Sequence, residues 1–242
     1  MGRKWNNIKY GKASKDAAKS KIYARFGKEI YMAAKNGEPD IELNRNLASI
    51  VERAKIAGVT RDIIDRAINK AKSGATENYE PIRYEGYGPS GSAIIVDALT
   101  DNVNRTVAEV RNVFKKNGGN MGVSGAVAFM FEPTALFIFP GHNEEAILEG
   151  LMEAETDVRD VEENGGEISV LADNEQFHAV QIALANMGIL EFEVAEMTMI
   201  ATALNELAGE SLEKFVKLID SLEELDDVTN VYHNIKLTDI LT

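Results

Sequence analysis

The chain has 242 residues, of which 45% are hydrophobic, with 26 Lys+Arg against 39 Asp+Glu, 3 His and no Cys, for a formal net charge of −13. The apolar share excludes a disordered chain, and the missing thiols exclude disulfide scaffolds, thiolate zinc sites, iron–sulfur clusters and cysteine nucleophiles. The opening MGRKWNNIKYGK lacks the apolar stretch of a secretory signal and no apolar run reaches the ~20 residues of a membrane span, so a soluble, cytoplasmic protein without a membrane partner is expected.

Residues 1–12 carry no helical period and are expected as an extended arm. From Lys15 to Lys35, Ile22, Phe26 and Ile30 recur every fourth residue, which predicts an amphipathic helix ended by Asn36-Gly37 and Pro39. A second helix is predicted over 41–57, with Leu43, Leu47, Ile50, Val51 and Ala54 on its apolar side. Thr60 is the expected N-cap of a third helix, with Ile63, Ile64, Ala67 and Ile68 as its stripe and Gly74 as its stop. These three helices make a small bundle.

The period then changes. Residues around Ile82–Tyr87 and Ser92–Leu99 read as strands joined by GYGPSGS, and a helix for which Asp101 to Asn104 offers several N-caps carries Val107, Val110 and Phe114. AVAFMF, after the glycine-rich KNGGNMGVSG, reads as another strand. Over 134–200 the order is strand TALFIF, a helix capped by Asn143, strands VRDVEE and GEISVLA, a helix from Phe177, and strand EFEVAEMTMI. That βαββαβ order is the ferredoxin-like split unit. A helix capped by Ser211 and a strand VTNVYHNI close the chain.

Neither the middle nor the C-terminal segment is a complete layered unit alone, but together they are. The expected fold class is therefore α+β: an N-terminal three-helix domain plus two α/β domains, one inserted in the other. The boundaries follow as 1–78 for the basic arm and helical domain, 79–132 plus 209–242 for the discontinuous α/β domain, and 133–208 for the inserted ferredoxin-like domain.

Charge is distributed unevenly along these segments. Residues 1–78 hold 17 basic and 9 acidic side chains, a balance of +8, whereas residues 118–242 hold 4 basic and 25 acidic ones, a balance of −21. Local sign decides what each surface attracts, so the front end favours a polyanion and the rear repels one. Pairing of the basic and acidic lobes with each other is the competing reading.

Gly86-Tyr87-Gly88-Pro89-Ser90-Gly91 matches G-x-G-x-x-G, but a dinucleotide loop needs a helix next, and an apolar strand follows instead. It reads as a hairpin connection. No Walker loop and no G-x-S-x-G elbow occurs, and His142, His178 and His233 lack neighbours at metal spacing. No catalytic residue, metal or cofactor is assigned, and an enzyme is not expected.

The arm and first helix carry the informative cluster. Arg3, Lys4, Lys9, Lys12, Lys15, Lys19, Lys21, Arg25 and Lys28 are interleaved with Trp5 and Tyr10. Lysine and arginine neutralise phosphates with release of counterions, and an exposed aromatic stacks on an unpaired base. A solvated helix face with a basic tail is the plainer alternative. A second cluster holds Arg105, Arg111, Lys115 and Lys116, for which a helix C-terminus that favours cations already gives a reason. The glycine-rich loop after it is a contact surface or merely a permissive turn.

GRKWNNIKYGKASKDAAKSKIYARFGKEI, YEGYGPSGSAIIVDALTDNVNRTVAEVRNVFKKNGG and the AVAFMF that follows resemble the YebC/PmpR family over nearly the whole chain. The resemblance implies a helical first domain and two α/β domains, one inserted in the other. It also implies a DNA-binding transcriptional regulator, or a ribosome-associated translation factor that binds ribosomal RNA and relieves stalled elongation. The Gly2-Arg3-Lys4-Trp5 start departs from the family's common Gly-His-Ser-Lys-Trp and looks like the YeeN branch. An acidic protein-interaction module is the alternative from another class. Neither the choice between DNA and RNA nor the oligomeric state follows from these residues.

Overall fold

The structure, a computed structural model, describes residues 15–237, with side chains from residue 19 onward. Three helices come first: α1 (Lys15–Asn36), α2 (Arg45–Ile56) and α3 (Arg61–Lys72). Phe26, Ile30 and Tyr31 of α1 meet Leu47, Ile50 and Val51 of α2 and Ile64 and Ile68 of α3 in one core. Burying each of these large side chains stabilises the bundle by about 1.5–3 kcal/mol. Asn44 locks the first corner: its side chain accepts from Leu47 N at 3.0 Å and donates to Ala33 O and Glu38 O. The second helix therefore starts at 45 rather than at the expected 41. Asp40 draws the Leu43 and Asn44 amides to its carbonyl and the Glu42 amide to its side chain, which makes 40–43 a turn. Leu43, expected on the apolar stripe, is 73% exposed.

The first sheet contains β1 (Glu80–Tyr87), β2 (Ala93–Thr100), β3 (Asn120–Met121) and β8 (Val228–His233), in the order β3-β1-β2-β8 with every pair antiparallel. Helices α4 (Val103–Lys116) and α7 (Gly209–Glu223) cover one face, where Ile94 and Val96 pack against Phe114, Phe215 and Leu222. The last strand of the described chain thus completes a sheet begun before residue 100, as the incomplete segments required. Ser211 does not cap α7, since the helix starts two residues earlier with Ala208 as N-cap. The Ser211 hydroxyl pairs instead with that of Ser90 at 3.0 Å.

The second sheet holds β4 (Phe131–Pro140), β5 (Asp160–Asn164), β6 (Glu167–Ala172) and β7 (Val194–Ala201) in the order β5-β6-β4-β7, again antiparallel. Helices α5 (Glu144–Glu153) and α6 (Phe177–Asn186) bury Ile147, Leu151, Val180 and Leu184 against Phe137, Phe139, Ile168 and Val170. This is the βαββαβ order with β4 and β6 central.

The expected strand AVAFMF is corrected. Residues 126–127 turn, 128–130 form a 3-10 turn, and the strand starts at Phe131 and continues through Pro133 into the segment expected as separate. The physical reason is Glu85, whose buried carboxylate accepts from Gly125 N, Val127 N and Ala128 N at 2.7, 2.8 and 2.8 Å. With those amides turned to one side chain, no ladder can form there.

Candidate nucleic-acid interface

Helix α1 divides into two electrostatic halves. Lys19 and Lys21 stand exposed near its start. Burial pulls the Lys21 ammonium down from its ordinary pKa, while Glu223, Glu224 and Asp226, at and just beyond the end of α7, push it back up. One and two turns further on, the cations are spent inside the molecule. Arg25 donates to Asn230 Oδ1 on β8 at 2.5 Å and pairs with Glu29, which also meets Arg53 of α2 at 3.5 Å. Lys28 donates to Leu99 O, Asp226 O and Asp227 Oδ1 at 3.2, 3.1 and 3.2 Å.

Asp227 is the hub of that inner half. Its second oxygen accepts from Thr100, Thr106 and Arg105 at 2.9, 2.8 and 2.5 Å. Burial alone would raise its pKa, but the hydrogen bonds from Arg105, Thr106, Thr100 and Lys28 outweigh burial and hold it at about 2. Arg105 also reaches Asp101 at 2.8 Å, and its guanidinium is held above its ordinary value by the hydrogen bond to Asp227 first and Asp101 second. Arg25, Lys28 and Arg105, all candidate phosphate contacts by sequence, thus bind the helical segment and α4 to the chain around β8. In part, the basic and acidic segments do pair with each other.

The rest of the candidate set lies differently. Arg111, Lys115 and Lys116 are exposed on α4, one or two turns before its C-terminus or at it, while Val110 and Phe114 face the core. Their spacing at 111 and 115 sets two cations on one outward stripe. Arg3, Lys4, Trp5, Lys9, Tyr10 and Lys12 fall outside the described residues, and of Lys15 only the backbone, at the start of α1, is described. The structure brings together the trio on α4, and separately Lys28 and Arg105 at Asp227, with Arg25 apart at Asn230 and Glu29.

Two features were not read from the sequence. The Glu85 anchor fixes a loop that exposes Val123 (78%) and Phe129 (71%), yet RYEGY offers no signal that its carboxylate turns inward. The turn 57–60, with Gly58 at φ +78° and Val59 buried, joins α2 to α3 by the short glycine turn that helix-turn-helix units use. However, the first half of α3 matches Arg61 with Asp65 at 3.4 Å and Arg66 with Asp62, and only Lys70 and Lys72 of its last turn exceed the carboxylates of the helix.

The glycine motif belongs to the β1–β2 hairpin. Gly88 N donates to Ser92 O at 2.8 Å, a Cβ on Gly86 would come within 2.7 Å of the Phe114 ring, and one on Gly88 within 2.6 Å of Ser92 Oγ. These glycines permit close packing of strand on helix. Among the described residues no group of three or more His, Asp or Glu is arranged to hold a metal ion, and no helix is long and apolar enough to cross a membrane.

Comparison with known proteins agrees with this architecture along the chain. Residues 3–74 match the model of the TACO1/YebC protein N-terminal domain, and residues 79–235 match that of the TACO1/YebC second and third domain. The chain belongs to the TACO1/YebC family. The crystal structure of a conserved hypothetical protein from Aquifex aeolicus is similar to it at 36% identity and a TM-score of 0.80, covering 97% of this chain and 98% of that one. The TACO1/YebC division between residues 74 and 79 falls just after α3, where the helical bundle gives way to β1.

Proposed function

We propose that the protein is a non-enzymatic, nucleic-acid-binding regulator of gene expression, in the first instance a DNA-binding transcriptional regulator of the YebC/PmpR type. The observation that carries this reading is the sorting of its cations. Arg25, Lys28 and Arg105 are consumed by Asn230, Asp227 and Asp101, whereas Lys19, Arg111, Lys115 and Lys116 stand exposed with no carboxylate of the described residues paired to them. Exposed lysine and arginine neutralise backbone phosphates and gain free energy from released counterions. Lys12, Lys15 and Lys19 extend that role onto the arm, with Trp5 and Tyr10 as stacking groups for unpaired bases. The 25 carboxylates of residues 118–242 repel the same polyanion.

A second reading, a translation factor on ribosomal RNA, is favoured by the N-terminal half of α3, where Arg61 and Arg66 are already paired with carboxylates of the same helix. A helix that offers Asp62 and Asp65 beside Arg61 and Arg66 is poorly suited to a phosphate-walled major groove. In-cell crosslinking followed by sequencing of both DNA and RNA tests both readings. Discrete promoter peaks support the first and dominant ribosomal RNA crosslinks the second. Crosslinks to neither contradict the proposal.

A further inference from the structure

An open groove of about 250 Å³ runs between α1 and α3. Its floor is aromatic: Tyr31 is buried, its hydroxyl fixed by Ala75 O and Glu77 O at 2.9 Å each, and Tyr79 stands edge-on to it with ring centroids 6.1 Å apart at 88°. Cations surround the two rings. Lys28 Nζ lies 5.4 Å from the Tyr79 centroid and Lys70 Nζ 5.2 Å from that of Tyr31, with Arg66 on the rim.

One wall is opened by a glycine that the fold does not otherwise need. Gly27 lies inside α1, its φ is not in the left-handed region, and a Cβ placed on it would meet nothing within 4 Å. Glycine is among the worst residues for a helix interior, and alanine would be accepted there. Its effect is to leave the groove open between Ala24 and Lys28.

We infer that this groove receives one unpaired base of a single-stranded nucleic acid, stacked on the half-buried Tyr79 ring that Tyr31 supports edge-on, with the adjoining phosphates on Arg66 and Lys70. The inference rests on the nucleic-acid-binding reading and adds the part of the ligand that is recognised. The volume is below the ~300–1,000 Å³ of sites for drug-sized ligands, which leaves room for one planar ring system. Every base offers a π face, and a ring flanked by ammonium groups suits such stacking without choosing a sequence. The present partners of the two rim cations yield readily. The Arg66–Asp62 and Lys70–Glu77 pairs are solvent-exposed ion pairs of the kind that contribute little, so a phosphate displaces either carboxylate into water.

The test uses the full chain, a short oligoadenylate carrying one 2-aminopurine, and an abasic phosphodiester chain of equal length. Wild type is expected to bind the oligoadenylate about tenfold tighter than the abasic chain and to quench the 2-aminopurine emission. Gly27→Ala is expected to keep that preference, and Gly27→Leu, which fills the groove, to bind both chains equally at the abasic affinity. Ala24→Leu, on the exposed lip of the same wall, repeats the measurement if Gly27→Leu does not fold. Equal wild-type affinity for the two chains, or a preference that survives the filled groove, overturns the inference while leaving phosphate binding intact. Failure of wild type to bind either chain overturns this inference and the reading beneath it together.

Discussion

Lys28 and Asp227, 199 positions apart in the chain, meet at 3.2 Å, and through them the first long helix is fastened to the turn that enters the last strand. The ammonium also holds Leu99 O and Asp226 O, so a single side chain joins α1, β2 and the start of β8. The contact makes the first helix part of the α/β body, while its N-terminal turns project cations outward.

Asp227→Asn removes the hub of that fastening. The unfolded carboxyl titrates near 3.8 and the folded one at about 2, so its stabilisation is complete above 3.8 and is lost as pH falls through the folded value. Substitution is expected to cost about 2–3 kcal/mol at neutral pH. The variant should also lack the part of the wild-type acid sensitivity that falls within that window. Denaturant unfolding followed at several pH values checks both.

His233 adds a second, separable pH dependence. Burial presses its imidazole down to about 4 from an ordinary 6.5, Ile235 N donates to Nδ1 at 3.3 Å, and the ring meets Phe215 edge-on. A depressed histidine means that the unfolded chain takes up the proton first. Its stabilisation is therefore full above 6.5 and declines as pH falls toward 4. His233→Asn keeps an acceptor near Nδ1 but does not titrate. Its stability is expected to vary less than that of wild type over that interval, as read from thermal melts.

Glu85→Gln should loosen one loop without unfolding the protein. The carboxylate serves Gly125 with one oxygen and Val127 and Ala128 with the other, and burial, which raises its pKa, is outweighed by these backbone amides together. Glutamine offers one oxygen and sets an NH₂ against the remaining amides. A loss of about 1–3 kcal/mol is expected, with faster hydrogen exchange at the amides left unserved.

Arg105 and Lys19 are expected to separate fold from function. Arg105→Met should lower the unfolding midpoint, because Asp227 and Asp101 lose their common partner, yet leave the salt dependence of nucleic-acid binding unchanged. Lys19→Glu should do the reverse, since its side chain is exposed on α1. Unfolding curves and binding titrations on the same two variants read out the contrast.

The ferredoxin-like order was legible because each strand between 134 and 200 alternates or is β-branched and each helix begins at a cap or ends at a glycine. The join of β8 to β2 followed from counting incomplete layers. What could not be read were relations set by tertiary partners. Charge counting treats Lys19 and Lys28 alike, although only the second faces a carboxylate that appears near residue 227. AVAFMF has the composition of a strand, and a glutamate forty residues earlier takes its amides. Gly27 carried no signal at all, since an isolated glycine in a helical pattern differs from a tolerated defect only when the space beside it is known.

The central claim is that the outer cations of the first segment grip phosphates, and the most direct test is an anisotropy titration of a labelled oligonucleotide over a series of salt concentrations. Wild type and the triple charge reversal Lys12→Glu, Lys15→Glu and Lys19→Glu are compared. The expected result is affinity that falls steeply with salt in wild type, with the logarithmic slope reduced by about 2–3 in the triple variant. Unchanged affinity and slope in that variant would contradict the claim.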